Sequence, residues 1–218
     1  MRRIPATLTL LAILVAGCGA GSSDAPGSPA ASVAPGEPST TSRVAAVAGE
    51  CPPARVTVPT LPEQIPGYTQ VDPDTGLHVT GTPVEVDFAA YRLEVGGRVD
   101  RPLSLAYDEL RCLPKVQAAP ELVCPGFFVD VAIWAGAPLR EVLEEAGMRE
   151  GATQLRLTAA DGYSQVIDLE EDLLANAFLA YELEGETLPV LHGFPVRFVW
   201  PGHQGNDWVK WLVGIEVI

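Results

Sequence analysis

The hydrophobic and polar positions divide the chain into three stretches of different pattern. The first, residues 1–17, places Arg2 and Arg3 before an apolar run from Leu8 to Ala16. A basic start, a short apolar run and small residues at its end are typical of a secretory signal peptide, and the run is too short for a comfortable membrane span. The second, residues 18–49, is rich in Gly, Ser, Ala, Pro and Thr without any aromatic residue, which predicts a disordered linker.

The third stretch carries the pattern of a folded domain. It begins with a proline-containing segment, residues 50–83, for which we expect extended backbone lying on the domain. Apolar alternation between turn residues predicts short strands at 91–95, 121–123, 154–158, 163–169, 178–183, 196–200 and 211–217. Helices are predicted at 105–110 after an N-cap at Ser104, at 138–146 before Gly147, and at 170–175. Many short strands and few short helices predict an α+β fold with mixed β-sheets over residues 84–218.

Length and charge narrow the class of protein. The 218 residues allow one domain of ordinary size plus a tail. Because 28 acidic residues stand against 14 basic ones, the net charge is −14. A nucleic-acid partner needs a basic face, so this charge argues against one. The domain also lacks a Gly-rich phosphate loop, which argues against a βαβ nucleotide-binding fold.

Cys18 is the first of four cysteines that carry specific expectations. Small residues, Val15-Ala16-Gly17, stand directly before it and match the lipobox of bacterial lipoproteins. This predicts that Cys18 is lipidated, and that the exported chain is anchored by it to the outer or periplasmic face of the cell membrane. The alternative is an ordinary signal peptide followed by an incidental cysteine.

The other three cysteines, Cys51, Cys112 and Cys124, leave their pairing open. An exported chain meets an oxidising environment, so thiols tend to pair, and an odd number leaves one over. A Cys51–Cys112 bridge would leave Cys124 free. A Cys112–Cys124 bridge would leave Cys51 free, and a third possibility is that Cys124 is buried and inert. A free Cys124 thiolate would be a plausible soft metal ligand.

A basic cluster stands out near the C-terminus of this acidic chain. His192, Arg197 and Lys210 fall on predicted loops and strand ends. Arg and Lys converging on one place suit a phosphate-bearing ligand. The alternative is that both cations pair with some of the many carboxylates.

The motifs around this cluster identify a family resemblance. The chain resembles the molybdopterin-binding domain of the sulfite oxidase family in Leu179-Ala180-Tyr181-Glu182-Leu183, His192-Gly193-Phe194-Pro195-Val196-Arg197 and Val209-Lys210-Trp211-Leu212. The opening Tyr91-Arg92-Leu93-Glu94-Val95-Gly96-Gly97, then Leu122-Val123-Cys124 and Trp134-Ala135-Gly136, is similar as well. The resemblance covers roughly residues 84–218 and implies the fold of that domain, with a molybdenum–molybdopterin cofactor and oxygen-atom transfer as the reaction.

The resemblance also implies roles for individual residues. Cys124 would be the protein thiolate on molybdenum, and Tyr163 an active-site tyrosine near the metal oxygen. His192, Arg197 and Lys210 would hold the pterin and its phosphate, which favours the phosphate interpretation over scattered ion pairs.

Departures from the family pattern point away from sulfite as the substrate. Cys124 is followed by Pro-Gly-Phe-Phe instead of Gly-Asn-Arg, and Val79-Thr80-Gly81-Thr82-Pro83 replaces Arg-Asn-His-x-Pro. A small dianion needs a paired charge, and this arginine is lost. We therefore expect a membrane-anchored oxidoreductase acting on a small substrate, such as a sulfoxide or an oxyanion, with an external electron-transfer partner. The alternative is a non-catalytic binding or scaffold lipoprotein of the same fold that has lost the cofactor.

Overall fold

Two five-stranded sheets and a separate hairpin organise the folded part of the chain. The computed structural model describes residues 56–218. The predicted signal peptide, Cys18 and the linker lie outside these residues, and the predicted domain boundaries stay predictions. The strands run as follows: β1 Leu93–Gly97, β2 Leu103–Leu105, β3 Val116–Ala118, β4 Glu121–Cys124, β5 Phe128–Val131, β6 Trp134–Pro138, β7 Gln154–Ala159, β8 Ser164–Asp168, β9 Phe178–Leu183, β10 Glu186–Thr187, β11 Arg197–Val199 and β12 Leu212–Val217.

The helices are few and short, as the pattern predicts. They are α1 Tyr107–Cys112, α2 Leu139–Ala146 and α3 Glu171–Asn176, with 3₁₀ turns at Val190–His192 and Gly205–Asp207. In α2, Leu139, Val142, Leu143 and Ala146 are all buried and Gly147 ends the helix in the left-handed region, so this helix is confirmed. No helix within residues 56–218 is long and apolar enough to cross a membrane.

The first sheet joins the two ends of the domain. Its order is β2-β1-β12-β7-β8, and β12 pairs in parallel with β1 and antiparallel with β7. The C-terminal strand therefore lies in the middle of the sheet. Its inward residues Leu212, Ile215 and Val217 are buried, as the alternation predicts.

The second sheet is built around β9. Its order is β10-β9-β6-β3, and β11 also pairs with β9. The register of β6 on β9 shifts between Ala135 and Gly136. A side chain at Gly136 would collide with the carbonyl of Leu179, so this close strand approach requires glycine. The predicted α+β class with mixed sheets is confirmed.

Some local predictions were wrong. Ser104 does not cap a helix, because it lies in β2 and pairs with Glu94. Helix α1 begins two residues later than predicted, where the Glu109 side chain accepts a hydrogen bond of 2.7 Å from the amide of Ala106. The strands β2, β3, β5, β6 and β10 were not predicted, since they are two to five residues long and lack an uninterrupted apolar alternation.

Residues 56–83 have no helix and only one isolated β-bridge, between Val71 and His78. The segment is nevertheless fixed to the domain, because Asp72, Leu77 and Val79 are buried. It thereby brings its backbone to the same side of the domain as the C-terminal motifs.

Candidate functional site

A cavity of about 320 Å³ gathers most of the residues that the motifs single out. Of the predicted site residues, Cys124, Tyr163, Arg197 and Lys210 line it, and His192 does not. Its other walls come from Tyr68, Thr80, Gly81, Leu122, Ala159, Asp161, Gly205, Asn206, Trp208 and Trp211. Three sequence regions that are far apart therefore meet in one cleft.

Cys124 reaches the cavity from the hairpin of β4 and β5. The turn closes when the amide of Phe127 donates to the Cys124 carbonyl at 3.0 Å, with Gly126 at a φ of 80°. On β4, Leu122 and Cys124 share the face toward the cavity, because side chains alternate along a strand. A parallel β-bridge between Val123 and Gln204 connects this strand to the loop directly before the second 3₁₀ turn.

The structure decides the state of Cys124 among the alternatives considered above. Cys112 is disulfide-bonded, whereas Cys124 is a free thiol and half-buried. A Cys112–Cys124 bridge is therefore wrong, and the partner of Cys112 lies outside the described residues. Cys124 is also not a fully buried, inert cysteine, since it lines the cavity.

Arg197 contacts two tryptophan rings. It lies at the start of β11 with only 2% of its surface exposed. Its guanidinium carbon is 4.8 Å from the ring centre of Trp134 and 5.5 Å from that of Trp208. Nη1 donates to the carbonyl of His192 at 3.3 Å. Such cation–π contacts fix the guanidinium in the cavity wall.

Lys210 is the second buried cation. It is 8% exposed, and its Nζ donates to the carbonyls of Thr80 and Leu191, both at 2.8 Å. An ammonium group has three protons, so one donor is left after these two bonds. Gly193 lets strand β11 and the loop that carries Lys210 approach each other, because at its φ of 116° a Cβ would press on Arg197 and Lys210.

The backbone next to Lys210 is strained. Trp211 has a φ of 49°, which bulky residues rarely adopt. Its indole Nε1 donates to the Val190 carbonyl at 2.8 Å and secures the ring beneath the cavity. Such strain persists only where the surroundings determine the conformation, and here the hydrogen bond and the burial of the Trp211 ring do so.

The two cations are not neutralised by carboxylates. Within residues 56–218, neither Arg197 nor Lys210 forms an ion pair. Burial lowers the pKa of Arg197 to about 9, against the opposing effect of Asp130. Burial, and then the charge of Arg197, also lower the pKa of Lys210, with Asp161 opposing. The alternative that these cations merely pair with surface acids is therefore wrong.

Two buried donors have no hydrogen-bond partner among the described residues. They are Arg197 Nε and Trp134 Nε1, and their side chains are in direct contact, although only Arg197 lines the cavity. An orphaned buried N–H costs roughly 1–3 kcal/mol, so a wall with one such donor and two cations is suited to a ligand rich in anionic acceptor oxygens. Together with the free thiol of Cys124, this donor set fits a phosphate-bearing pterin that carries a soft metal.

His192 lies behind the cavity wall. Its Nε2 is 2.9 Å from Asp72 Oδ2 and 2.8 Å from Thr75 Oγ1, and Thr75 Oγ1 also donates to Asp72 Oδ2 at 2.9 Å. Burial and the nearby Lys210 lower the pKa of His192 to about 4, although the bond to Asp72 opposes this. Nε2 therefore carries the proton of a neutral ring. The predicted contact of His192 with the pterin stays a prediction.

Tyr163 also lines the cavity. Its hydroxyl donates to the Asn206 carbonyl at 3.0 Å, and its side chain is partly exposed. Burial raises its pKa, and the carboxylates of Asp207 and Asp161 raise it further. The phenol is therefore a proton donor throughout the neutral range.

Comparison with known proteins decides the family. A family model for the oxidoreductase molybdopterin binding domain matches residues 79–218. The chain belongs to this family. Membership confirms the resemblance to sulfite oxidase-like molybdopterin oxidoreductases and the expectation of a molybdopterin cofactor.

Several curated relatives are similar to the chain over this domain. An uncharacterized oxidoreductase of Bacillus subtilis, YuiH, is 31% identical over 141 residues, which cover 64% of this chain and 71% of that protein. Mitochondrial sulfite oxidase of Rattus norvegicus is 34% identical, with 67% and 30% covered. A putative protein-methionine-sulfoxide reductase subunit of Azospira oryzae, YedZ1, is 31% identical, with 61% and 51% covered. The chain thus spans about half or less of the last two.

Among solved structures, the sulfane dehydrogenase SoxCD of Paracoccus pantotrophus superimposes with a TM-score of 0.62 at 24% identity. The match covers 70% of this chain and 44% of the other. At this identity the likeness shows the fold alone. The fold agrees with the family assignment.

Sequence reasoning missed the parts of the site that lie in residues 56–83 and in the tryptophan pair. Thr80 contributes a backbone carbonyl, which no side-chain pattern could reveal. The Asp72-Pro73-Asp74-Thr75 run, by contrast, is a recognisable turn signature that could have pointed to an ordered loop. Trp134 was part of a recognised motif, but its contact with Arg197 depends on the strand register.

Proposed function

We propose that the chain is an exported, lipid-anchored molybdopterin oxidoreductase that transfers an oxygen atom to or from a small substrate. One observation carries the proposal. A free cysteine, a protonated tyrosine and two buried, unpaired cations converge on one cavity of a chain that belongs to the molybdopterin-binding family.

Cys124 is the proposed protein ligand of molybdenum. Its position at the end of β4 is fixed on both sides, by the hairpin turn and by the bridge to Gln204. When bound, the molybdenum cofactor supplies two-electron redox chemistry and exchange of an oxygen atom. The protein supplies a soft thiolate for the metal and a half-buried setting that limits access of water.

Arg197 and Lys210 are the proposed anchors of the pterin phosphate. Both side chains are held before any ligand arrives, Arg197 by tryptophan rings and Lys210 by two carbonyls. The cost of burying two charges is offset when an anion binds, so binding energy is concentrated at this wall. His192 is proposed to support the same wall, since its carbonyl accepts from Arg197.

Tyr163 is the proposed proton donor at the reacting oxygen. Its raised pKa keeps the phenol protonated, and its hydroxyl lies at the cavity on the end of the β7–β8 turn. Once the hydroxyl turns from the Asn206 carbonyl toward the reacting oxygen, a donor of this kind can stabilise the negative charge that develops there. Oxygen-atom transfer moves two electrons, so an external electron-transfer partner is required to supply or accept them.

The proposal includes export and anchoring through Cys18. Support comes from the sequence, where a basic start, a short apolar run and Val15-Ala16-Gly17 precede this cysteine. The alternative, a scaffold lipoprotein without cofactor, was expected to show a Cys112–Cys124 bridge. The free thiol of Cys124 removes that support.

Metal content tests the proposal. We would express the full chain in a host that makes molybdopterin and measure molybdenum by mass spectrometry of metals and pterin by fluorescence. The wild type is expected to carry close to one molybdenum per chain, and Cys124→Ser about a tenth or less, because the thiolate is lost. Val129→Ala is the control, since Val129 is exposed on the same hairpin. A wild type without molybdenum or pterin, or a Cys124→Ser variant with full content, would refute the proposal or the ligand assignment respectively.

A further inference from the structure

A short run of residues contacts both halves of the candidate site. We call residues 77–81 the strap. Within it, His78 contacts the β4–β5 hairpin, and Thr80 contacts a buried cation of the cavity wall. Leu77 and Val79, which alternate with these two residues, are buried. The buried residues therefore fix the strap to the domain, while the residues between them reach the site.

His78 holds Asp130 of β5 with two hydrogen bonds. The backbone amide of His78 donates to Asp130 Oδ2, and its ring Nδ1 donates to Asp130 Oδ1, both at 2.7 Å. Asp130 is only 7% exposed. A buried carboxylate that lost these donors would lose much of the compensation for its desolvation, so the two bonds connect the strap firmly to β5.

The ring of His78 also packs on the hairpin. It lies flat on the ring of Phe128, with the ring centres 4.2 Å apart and the planes at 4° to each other. Phe128 is the cross-strand partner of Cys124, and Asp130 is the cross-strand partner of Leu122. Because directly paired residues of an antiparallel hairpin share a face, His78 contacts the face that carries the Cys124 thiol.

The hairpin depends on contacts of this kind for its position. Within the described part of the chain, β4 and β5 pair only with each other, and the β-bridge between Val123 and Gln204 joins them to another segment. A two-stranded hairpin is marginally stable by itself. The contacts of His78 with β5 therefore restrain the position of Cys124.

The strap connects this restraint to the buried cations. Two residues after His78, the carbonyl of Thr80 accepts a hydrogen bond from Lys210 Nζ at 2.8 Å. Two residues of extended chain span only about 7 Å, so the two contacts cannot move far apart. Asp130 adds an electrostatic link, because its charge opposes the lowering of the pKa of Arg197. The hairpin and both cations are thus held in one arrangement.

We propose that His78 and Asp130 are positioning residues, which hold the Cys124 thiol at a set distance from the two buried cations. The inference rests on the proposed function, because that function assigns the thiol to the metal and the cations to the pterin phosphate. A cofactor held at two points gains from both contacts only when their separation matches the ligand. Both residues act through the hairpin, not by touching the cofactor.

Three substitutions test this role. His78→Phe offers a ring to Phe128 but removes the Nδ1 donor. His78→Asn keeps a donor near the position of Nδ1 and removes the ring. Both variants keep the backbone amide that bonds to Asp130. Val131→Thr is the matched control, because Val131 is exposed and adjoins Asp130 on β5, and threonine keeps the β-branched shape.

Hydrogen exchange measures the hairpin directly. In full-length protein from a host that makes no molybdopterin, the amides of β4 and β5 should exchange about tenfold faster in His78→Phe than in the control. The amides of β7 and β8, which lie in the first sheet, should exchange at the wild-type rate. His78→Asn should stay within about threefold of the wild type, because the side-chain bond to Asp130 is kept.

Cofactor release measures the consequence for the site. Molybdenum-loaded full-length protein would be incubated at a fixed temperature and desalted at intervals, and the molybdenum and pterin retained on the protein would be measured. His78→Phe should lose both about tenfold faster than Val131→Thr, whereas His78→Asn should lie close to the control. A His78→Phe variant that loads no cofactor, but whose β7 and β8 amides exchange at the wild-type rate, would support the same role.

The outcomes distinguish this inference from the proposed function. A wild type without molybdenum or pterin refutes the proposed function. Loaded protein in which His78→Phe matches the control in hairpin exchange or in cofactor release overturns only the positioning role. Faster exchange across β7 and β8 as well, or a His78→Asn variant that behaves like His78→Phe, also overturns it, because the effect would then not pass through the bond to Asp130.

Discussion

Arg197 allows a prediction about the protein without its cofactor that runs against the usual effect of core substitutions. Arg197→Met replaces a buried, unpaired cation by an apolar side chain of similar length. In protein from a host that makes no molybdopterin, we expect this variant to be more stable than the wild type. The reason is that burial penalises the charged guanidinium, while the anion that would offset the penalty is not bound.

The magnitude follows from the contacts of Arg197. Burial that lowers its pKa to about 9 corresponds to a cost to folding of the order of 5 kcal/mol. The contacts with Trp134 and Trp208 return about 2 kcal/mol. The hydrogen bond to the His192 carbonyl returns about 1 kcal/mol. The net gain for Arg197→Met is therefore about 2 kcal/mol, which for a domain of this size raises Tm by about 4–8 °C.

Thermal unfolding without inorganic phosphate measures the cost of the buried cation, and unfolding with phosphate measures how far a bound anion offsets it. The wild type should gain stability from phosphate, since the anion binds only the folded cation site, and Arg197→Met should gain little. Arg156→Met is the control, because Arg156 is an exposed surface residue whose ion pair with Glu216 contributes about 0–1 kcal/mol. A variant that unfolds below the wild type in the absence of phosphate would refute the reasoning, because Arg197 would then be satisfied by the protein alone.

Three further predictions concern pH, catalysis and location. Because burial lowers the pKa of His192 to about 4, the unfolded chain binds a proton near pH 6.5 that the folded chain does not. The free energy of unfolding should be full above pH 6.5 and fall by about 2 kcal/mol on going to pH 5. Denaturant titrations should show that His192→Gln loses this pH dependence. Tyr163→Phe should lower kcat by about 10- to 100-fold at unchanged molybdenum content, and an unchanged kcat would contradict its role as proton donor. Cys18→Ala should move the protein from the membrane fraction to the soluble fraction, as seen by immunoblot, and continued membrane association would count against lipidation.

The parts of the fold that the sequence predicts are those with a strong local signal. Helix α2 has an apolar stripe and a terminal glycine, and β12 alternates buried and exposed residues over its whole length. Strand β6 has no such signal, because Trp134-Ala135-Gly136-Ala137 is almost entirely buried and its strand conformation depends on pairing with β9. Ser104 illustrates the opposite case, in which a good local helix cap is overridden by pairing with β1.

The candidate site divides in the same way. The motifs identify Cys124, Arg197 and Lys210 because their side chains carry the chemistry. The contacts that hold these side chains cannot be predicted from residue types, because Lys210 is fixed by two backbone carbonyls and Arg197 by the faces of two rings. Backbone acceptors and ring faces are provided by tertiary structure, so a single sequence identifies the ligands of such a site more readily than their supports.

Residues 56–83 show what this difference means for the mechanism. The segment has almost no regular structure, yet Thr80 bonds to Lys210, Asp72 bonds to His192, and Tyr68 lines the cavity. These contacts link one segment to the buried cation Lys210, to the histidine behind the cavity wall and to the cavity itself. Buried Leu77 and Val79 fix the segment to the domain, and the polar contacts set where its remaining residues lie. A ligand that engages Lys210 should therefore also tighten the segment that carries Tyr68, which couples cofactor loading to the shape of the cavity.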